Sequence, residues 1–219
     1  MKAFQLIPAI AEYADFKTYA QEAGLGAEDL ILTNEYIYEP TISALNLGCH
    51  TLFQEKYGMG EPTDVMVDAI LDELRDKDYN RIIAVGGGTI IDIAKVLAVA
   101  SKEDKVDDLY DRMADLHKVH ELVIVPTTCG TGSEVTNISI INRTTKGVKQ
   151  GIVSPAMFAN EAALIPGMLA SLPYGVFATS SIDAMIHAVE SFLSPNACAI
   201  SELFSKSALH LILSGWRAA

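Results

Sequence analysis

Short blocks of consecutive apolar residues alternate along this chain with longer stretches in which apolar residues recur every three or four positions. Leu30-Ile31-Leu32-Thr33, Arg81-Ile82-Ile83-Ala84-Val85 and Glu121-Leu122-Val123-Ile124-Val125 are of the first kind. Continuous runs of this sort predict strands buried on both faces of a parallel sheet. Thr51 to Gln54 predicts one more short strand. Helical spacing runs from Ile37 to Leu47, through Val65, Ala69, Ile70 and Leu74 after Pro62, and from Thr89 to Ala100, with Thr89 as its cap. The alternation predicts an α/β chain of βαβ units with a mostly parallel sheet.

The texture changes after residue 137. Ile138 to Ile141 and Gly151 to Val153 predict two strands joined by a turn from Asn142 to Gly147. Beyond Pro173 the strand signals stop. Leu172 to Leu193 and Cys198 to Trp216 predict two helices separated by Ser194-Pro195-Asn196. We therefore expect an α/β domain over 1–165 and a helical part over 166–219. The final helix is strongly apolar, and Arg217-Ala218-Ala219 supplies no Gly or Asn cap. Two helices bury little apolar surface by themselves, so 166–219 is expected to be the truncated start of a larger helical domain.

Composition narrows the function classes. Of 219 residues, 50% are hydrophobic and 20% charged, with mean hydropathy +0.25, which is enough apolar surface for a substantial core. Sixteen Lys and Arg against 28 Asp and Glu give a net charge of −12. That balance argues against nucleic acid and against an anionic membrane surface as partner. Cys49, Cys129 and Cys198 are widely spaced, with neither a CxxC pair nor a disulfide framework, as expected of a reduced, cytoplasmic setting. The N-terminus turns acidic too soon for a signal peptide, and no apolar run approaches the ~20 residues of a membrane span.

Three segments carry candidate chemistry. In Val85-Gly86-Gly87-Gly88-Thr89-Ile90-Ile91-Asp92 a buried strand meets three glycines and then a helix. Glycines admit close backbone approach, and a helix N-terminus offers free N–H groups to a phosphate. The same turn also serves a plain strand-to-helix connection, with Asp92 as a first-turn acid. The segment Pro126-Thr127-Thr128-Cys129-Gly130-Thr131-Gly132-Ser133-Glu134 follows the next buried strand, hence at the same sheet edge, and its hydroxyls suit a ribose or phosphate, or equally a capped surface loop. Asp183 and His187 stand four apart on one helix face, a spacing that suits two ligands of one metal or a simple hydrogen-bonded pair, with Glu190 one turn further. His117 and His120, in a charged stretch, are read as solvated, and His210 as a helix-surface residue.

GGGTIIDIAK, PTTCGTGSE and SSIDAMIHAVESFLSP, in this order and at these distances, resemble the iron-dependent (group III) alcohol dehydrogenases. The resemblance implies a Rossmann-like NAD-binding domain followed by a helical metal-binding domain. It implies that Gly87, Gly88 and Thr89 hold the NAD pyrophosphate beside Asp92. Thr127, Thr128 and Thr131 would contact the adenosine side, and Lys149 the nicotinamide ribose. Asn34 falls where many members carry an Asp that selects NAD over NADP, so the preference is open in this chain, with Glu35 next door. Asp183 and His187 match the first two ligands of Fe2+ (Zn2+ or Mn2+ also suit such donors). The family takes two further histidines from later helices.

The resemblance further implies a small alcohol or aldehyde substrate and a homodimer. The stretches Ile31-Leu32-Thr33-Asn34-Glu35 and Phe53 to Pro62 are similar to members that interconvert 4-hydroxybutyrate and succinate semialdehyde. Another primary-alcohol or glycerol-type dehydrogenase of the same fold, and a non-catalytic nucleotide-binding module, remain open alternatives.

Overall fold

The computed structural model describes residues 4–218. In chain order the elements are β1 (Ala9–Glu12), α1 (Phe16–Glu22), β2 (Asp29–Thr33), α2 (Glu35–Thr41), β3 (His50–Phe53), α3 (Asp64–Leu74), β4 (Arg81–Gly86), α4 (Gly88–Leu97), α5 (Val106–Asp111), β5 (Glu121–Pro126), β6 (Ile138–Arg143), β7 (Val148–Val153), β8 (Glu161–Leu164), α6 (Tyr174–Leu193) and α7 (Ala199–Ala218). They fall into two compact units. One is Ile7–Thr127 with Ser133–Ala170. The other is Ser171–Ala219 with Thr128–Gly132 and the described part of Met1–Leu6.

The first unit is built on a six-stranded sheet of order β1-β8-β5-β4-β2-β3, parallel throughout, with β6 and β7 as a separate antiparallel pair. The apolar runs divide between its two faces by period-two alternation. Leu30, Leu32, Ile82, Ala84, Leu122 and Ile124 join one buried cluster with α3, α4 and α5. Ile31, Ile83, Val85, Val123 and Val125 join the other, against Phe16, Tyr19 and Ala20 of α1. Two covered faces are the reason these strands read as unbroken apolar runs. Strands β2 and β4 are also tied by a partly buried ion pair, where Arg81 Nε donates to Asp29 Oδ1 at 2.7 Å and the Arg81 Nη2 to Oδ2 at 3.1 Å.

From β2 the chain moves outward to β3, then returns across β2 to β4 and runs the other way through β5 and β8. The connections therefore diverge between β2 and β4. In open parallel sheets a ligand crevice lies at such a divergence, outside the carboxyl ends of the strands.

Several expectations need correction. The stretch from Ile37 to Leu47 is not one helix: α2 ends at Thr41, where Pro40 has removed a backbone donor, and a short 3-10 turn, Ser43–Leu45, follows. Thr89 is not a cap; Gly87 holds the cap position of α4, and Thr89 Oγ1 donates to the Gly60 carbonyl at 3.1 Å. His120 is half-buried, its ring stacked on Tyr79 at 4.4 Å between centroids, and burial pushes its pKa down. Strands β1 and β8 and helices α1 and α5 were not foreseen. Helix α1 starts on Asp15, whose carboxylate accepts from Thr18 N at 2.7 Å.

In the second unit α6 and α7 pack on each other, with Phe177 and Trp216 5.8 Å apart between ring centroids. Tyr174, Leu193, Leu203 and Leu211 stay exposed. Among the described residues no helix is long and apolar enough to cross a membrane.

Candidate functional site

Strand β4 delivers Gly86 to the crevice, and α4 starts two residues later. Gly86 is buried beneath α4, where a Cβ would lie 2.5 Å from Ile90 Cγ1 and 2.6 Å from Ile90 Cβ. Only glycine lets the strand pass so close to the helix. Gly88 is the opposite case, since a Cβ there would meet no protein atom within 4 Å. The first helical N–H groups have no acceptor within the helix, and glycine at the cap position supplies no side chain for them. The result is an open, side-chain-free cradle at the positive end of a helix. That cradle fits the pyrophosphate of a dinucleotide, which needs close approach, N–H donors and no competing carboxylate.

Behind it stands a buried polar cluster. Lys95 is fully buried on α4, and its Nζ donates to Ser133 Oγ at 2.9 Å, Thr136 Oγ1 at 3.0 Å and the Ile138 carbonyl at 2.8 Å. Burial pushes its pKa down to about 8, against the opposing pull of Asp92 and Glu134. Asp92 accepts from Ile140 N at 3.1 Å and Ser133 Oγ at 3.3 Å, and burial raises its pKa. This cluster fastens the start of β6 to α4. The carboxylate of Asp92 is thus engaged with the protein's own backbone and hydroxyls behind the cradle.

The other expected cofactor residues of this unit are placed as follows. Thr127 is buried at the end of β5, its N–H donating to the Gly86 carbonyl at 3.1 Å. Lys149 on β7 is exposed and paired with Glu61 at 2.6 Å. Asn34 is buried at the end of β2, and its Nδ2 donates to Gln54 Oε1 at 3.2 Å and Glu55 Oε2 at 2.8 Å. Glu55 was missed from the sequence. It lies 21 residues from Asn34, and only the β2–β3 pairing brings the two together.

In the second unit, Thr128 and Thr131 belong to a loop seated on α6. Gly130 has φ +105° in that loop, and a Cβ there would lie 2.7 Å from Ala184 Cβ and closer still to the Ser180 carbonyl. Cys129 Sγ lies 3.2 Å from Ser180 Oγ. One turn on, Asp183 Oδ1 and His187 Nε2 face each other at 3.8 Å, both half exposed. Among the described residues no group of three or more His, Cys, Asp or Glu gathers into a metal site. The pair is therefore a donor set too small to hold a divalent ion unaided.

Comparison with known proteins agrees with this fold. The family model for iron-containing alcohol dehydrogenases matches residues 12–166. The 4-hydroxybutyrate dehydrogenase of Clostridium kluyveri is 46% identical over 216 residues, which is 99% of this chain and 58% of that protein. A long-chain-alcohol dehydrogenase of Geobacillus thermodenitrificans is 33% identical and matches over 51% of its length. The chain thus spans about half the length of these curated relatives. Among solved structures, the NAD+ complex of sulfoacetaldehyde reductase from Bifidobacterium kashiwanohense superposes with a TM-score of 0.83 at 23% identity, over 97% of this chain and 58% of that one. An iron-containing alcohol dehydrogenase from Thermotoga maritima gives 0.78 at 25% identity, over 97% and 61%. With its glycine cradle, its parallel sheet and these matches, the chain belongs to the iron-containing alcohol dehydrogenase family.

Proposed function

We propose that this chain is the nucleotide-binding part, with the first metal-ligand helix, of an NAD-dependent dehydrogenase that interconverts 4-hydroxybutyrate and succinate semialdehyde. The observation that carries the nucleotide reading is the contrast between Gly86, closed in by Ile90, and Gly88, open above the α4 N-terminus. The substrate reading rests on the 46% identity to the C. kluyveri enzyme.

When bound, NAD supplies the hydride acceptor at its nicotinamide ring. The chain's own residues bind and orient it. The N–H groups of Gly88 and Thr89 neutralise the pyrophosphate, and the Lys95–Ser133–Asp92 cluster keeps α4 and β6 rigid behind them. Asp183 and His187 are proposed as two ligands of the divalent metal for which the family is named. Among the described residues the pair is incomplete by itself.

Gly88→Ala separates a cofactor cradle from a mere turn. The new methyl meets no protein atom and improves helix propensity, by at most about 1 kcal/mol. Stability to urea should be unchanged or slightly higher, while the Kd for NAD+, measured by calorimetry, should rise at least about tenfold through the lost close approach. Unchanged NAD+ affinity would refute the cradle. For the substrate, the whole gene product should reduce NAD+ with 4-hydroxybutyrate in preference to ethanol or 1-propanol, and the reverse order would refute the assignment.

A further inference from the structure

We propose that Glu55, in the short 3-10 turn Gln54–Tyr57 that follows β3 beside Asn34, sets the preference for NAD over NADP, an inference that rests on the nucleotide reading of the cradle. Leu32 pairs with Ala84, and the next residue, Thr33, donates its hydroxyl to the Val85 carbonyl at 2.8 Å. Continuing that register sets Asn34 beside Gly86. On the other side Thr33 pairs with Phe53, which sets Asn34 beside Gln54 with Glu55 next. Strands lie about 4.8 Å apart. The turn that carries Glu55 therefore follows a strand two spacings from the one that delivers the pyrophosphate cradle, on the β2 side of the crevice. An acid at the end of the strand next to the phosphate-binding turn is the group that receives the adenosine ribose hydroxyls in dinucleotide-binding sheets.

The strand that should carry this acid ends instead in an amide. Asn34 has two N–H donors, and Gln54 and Glu55 take them. An amide has no charge with which to reject a 2′-phosphate. Glu55 has one, and it is held in place from two sides: Glu35 N donates to Oε1 at 2.6 Å and Asn34 Nδ2 to Oε2 at 2.8 Å. Each oxygen keeps a lone pair for a ribose hydroxyl. The cation next in sequence, Lys56, does not neutralise Glu55, because its Nζ is paired with Glu73 at 2.6 Å. A 2′-phosphate brought against this fixed carboxylate meets like charge, whereas the 2′-hydroxyl of NAD donates to it. Asn34 thus acts as the positioning residue, and Glu55 replaces the missing strand-end acid from the turn that follows the neighbouring strand.

The test is the ratio of dissociation constants, NADP+ over NAD+, by calorimetry at low salt for the wild type, E55Q, E35Q and the double variant E55Q/N34D. Gln is close to isosteric with Glu and keeps an oxygen for the Glu35 N–H, so NAD+ binding should fall only a few-fold and itself reports a folded site. The wild-type ratio should exceed about tenfold, E55Q should bring it near one, E35Q should leave it high, and N34D should restore it in the E55Q background. A ratio unchanged in E55Q while NAD+ still binds would overturn the role of Glu55 alone. Absence of NAD+ binding in the wild type would overturn the nucleotide reading and this inference with it.

Discussion

Lys95 offers a direct measure of what holds the loop behind the cradle. Replacing it with Met keeps the stem and removes the ammonium. Three acceptors lose a donor: the Ser133 and Thr136 hydroxyls and the Ile138 carbonyl. The hydroxyls can turn to other partners, but the carbonyl cannot, and an unsatisfied buried carbonyl costs about 1–3 kcal/mol. Against this stands the cost of burying the charge. Burial lowers the Lys95 pKa from 10.5 to about 8. At about 1.4 kcal/mol per tenfold change in proton affinity, keeping Lys95 charged in the folded state costs roughly 3 kcal/mol at neutral pH. The two effects nearly offset, so Lys95→Met should change stability at pH 7 by no more than about 2 kcal/mol.

The sign with pH is decisive. The folded pKa lies below the unfolded one, so between pH 8 and 10.5 the unfolded chain binds more protons and the wild type gains stability as pH rises. The Met variant lacks that gain. The stability of the wild type minus that of the variant should therefore rise, by up to roughly 3 kcal/mol, across this window. Tyrosine and Cys49 ionisations are common to both proteins and cancel in the difference. Urea unfolding followed by circular dichroism at several pH values measures the gap. A signed difference, wild type minus variant, that stays constant or falls would refute the account of Lys95 as a buried, desolvated cation.

Two further substitutions probe the framework of the crevice. Gly86→Ala forces a methyl to within 2.6 Å of both Ile90 Cβ and Cγ1, so it should cost about 1–3 kcal/mol in urea unfolding and weaken NAD+ binding; an unchanged midpoint would show that α4 does not need this close approach. Asp29→Asn leaves Arg81 without its two-pronged partner and should cost about 3 kcal/mol, a loss that D29N/R81M should partly recover if the uncompensated charge is the cause.

The buried strands were legible because β2, β4 and β5 lie in the middle of the sheet and are covered on both faces, which forces nearly every position to be apolar. Strand β1 was not, since it is a sheet edge with Ala9, Ile10 and Glu12 exposed, and β8 buries only its two central alanines. Neither carries a run long enough to stand out. The apolar periodicity continues past the end of α2, whose last helical bond is that of Ile42 N to the Tyr38 carbonyl, so periodicity alone does not mark where the helix stops. His120 was read as solvated from its charged neighbours, but Tyr79, 41 residues away in sequence, supplies a ring to cover it.

By itself the sequence determined the strand-and-helix alternation, the glycine turn after β4, the hydroxyl loop after β5 and the Asp183–His187 spacing. Each of these is a local property, fixed by the period of the backbone or by the special freedom of glycine. The tertiary structure alone decided which local features become neighbours. The order β4-β2-β3 sets Glu55 against Asn34 beside the β4 turn, and the packing of α4 on β6 turns Lys95 and Asp92 inward to hold the loop. Side-chain periodicity records whether a position is buried, but not by what. Strand order is set by how whole helices and strands cover one another's faces, and that information is spread over the entire chain.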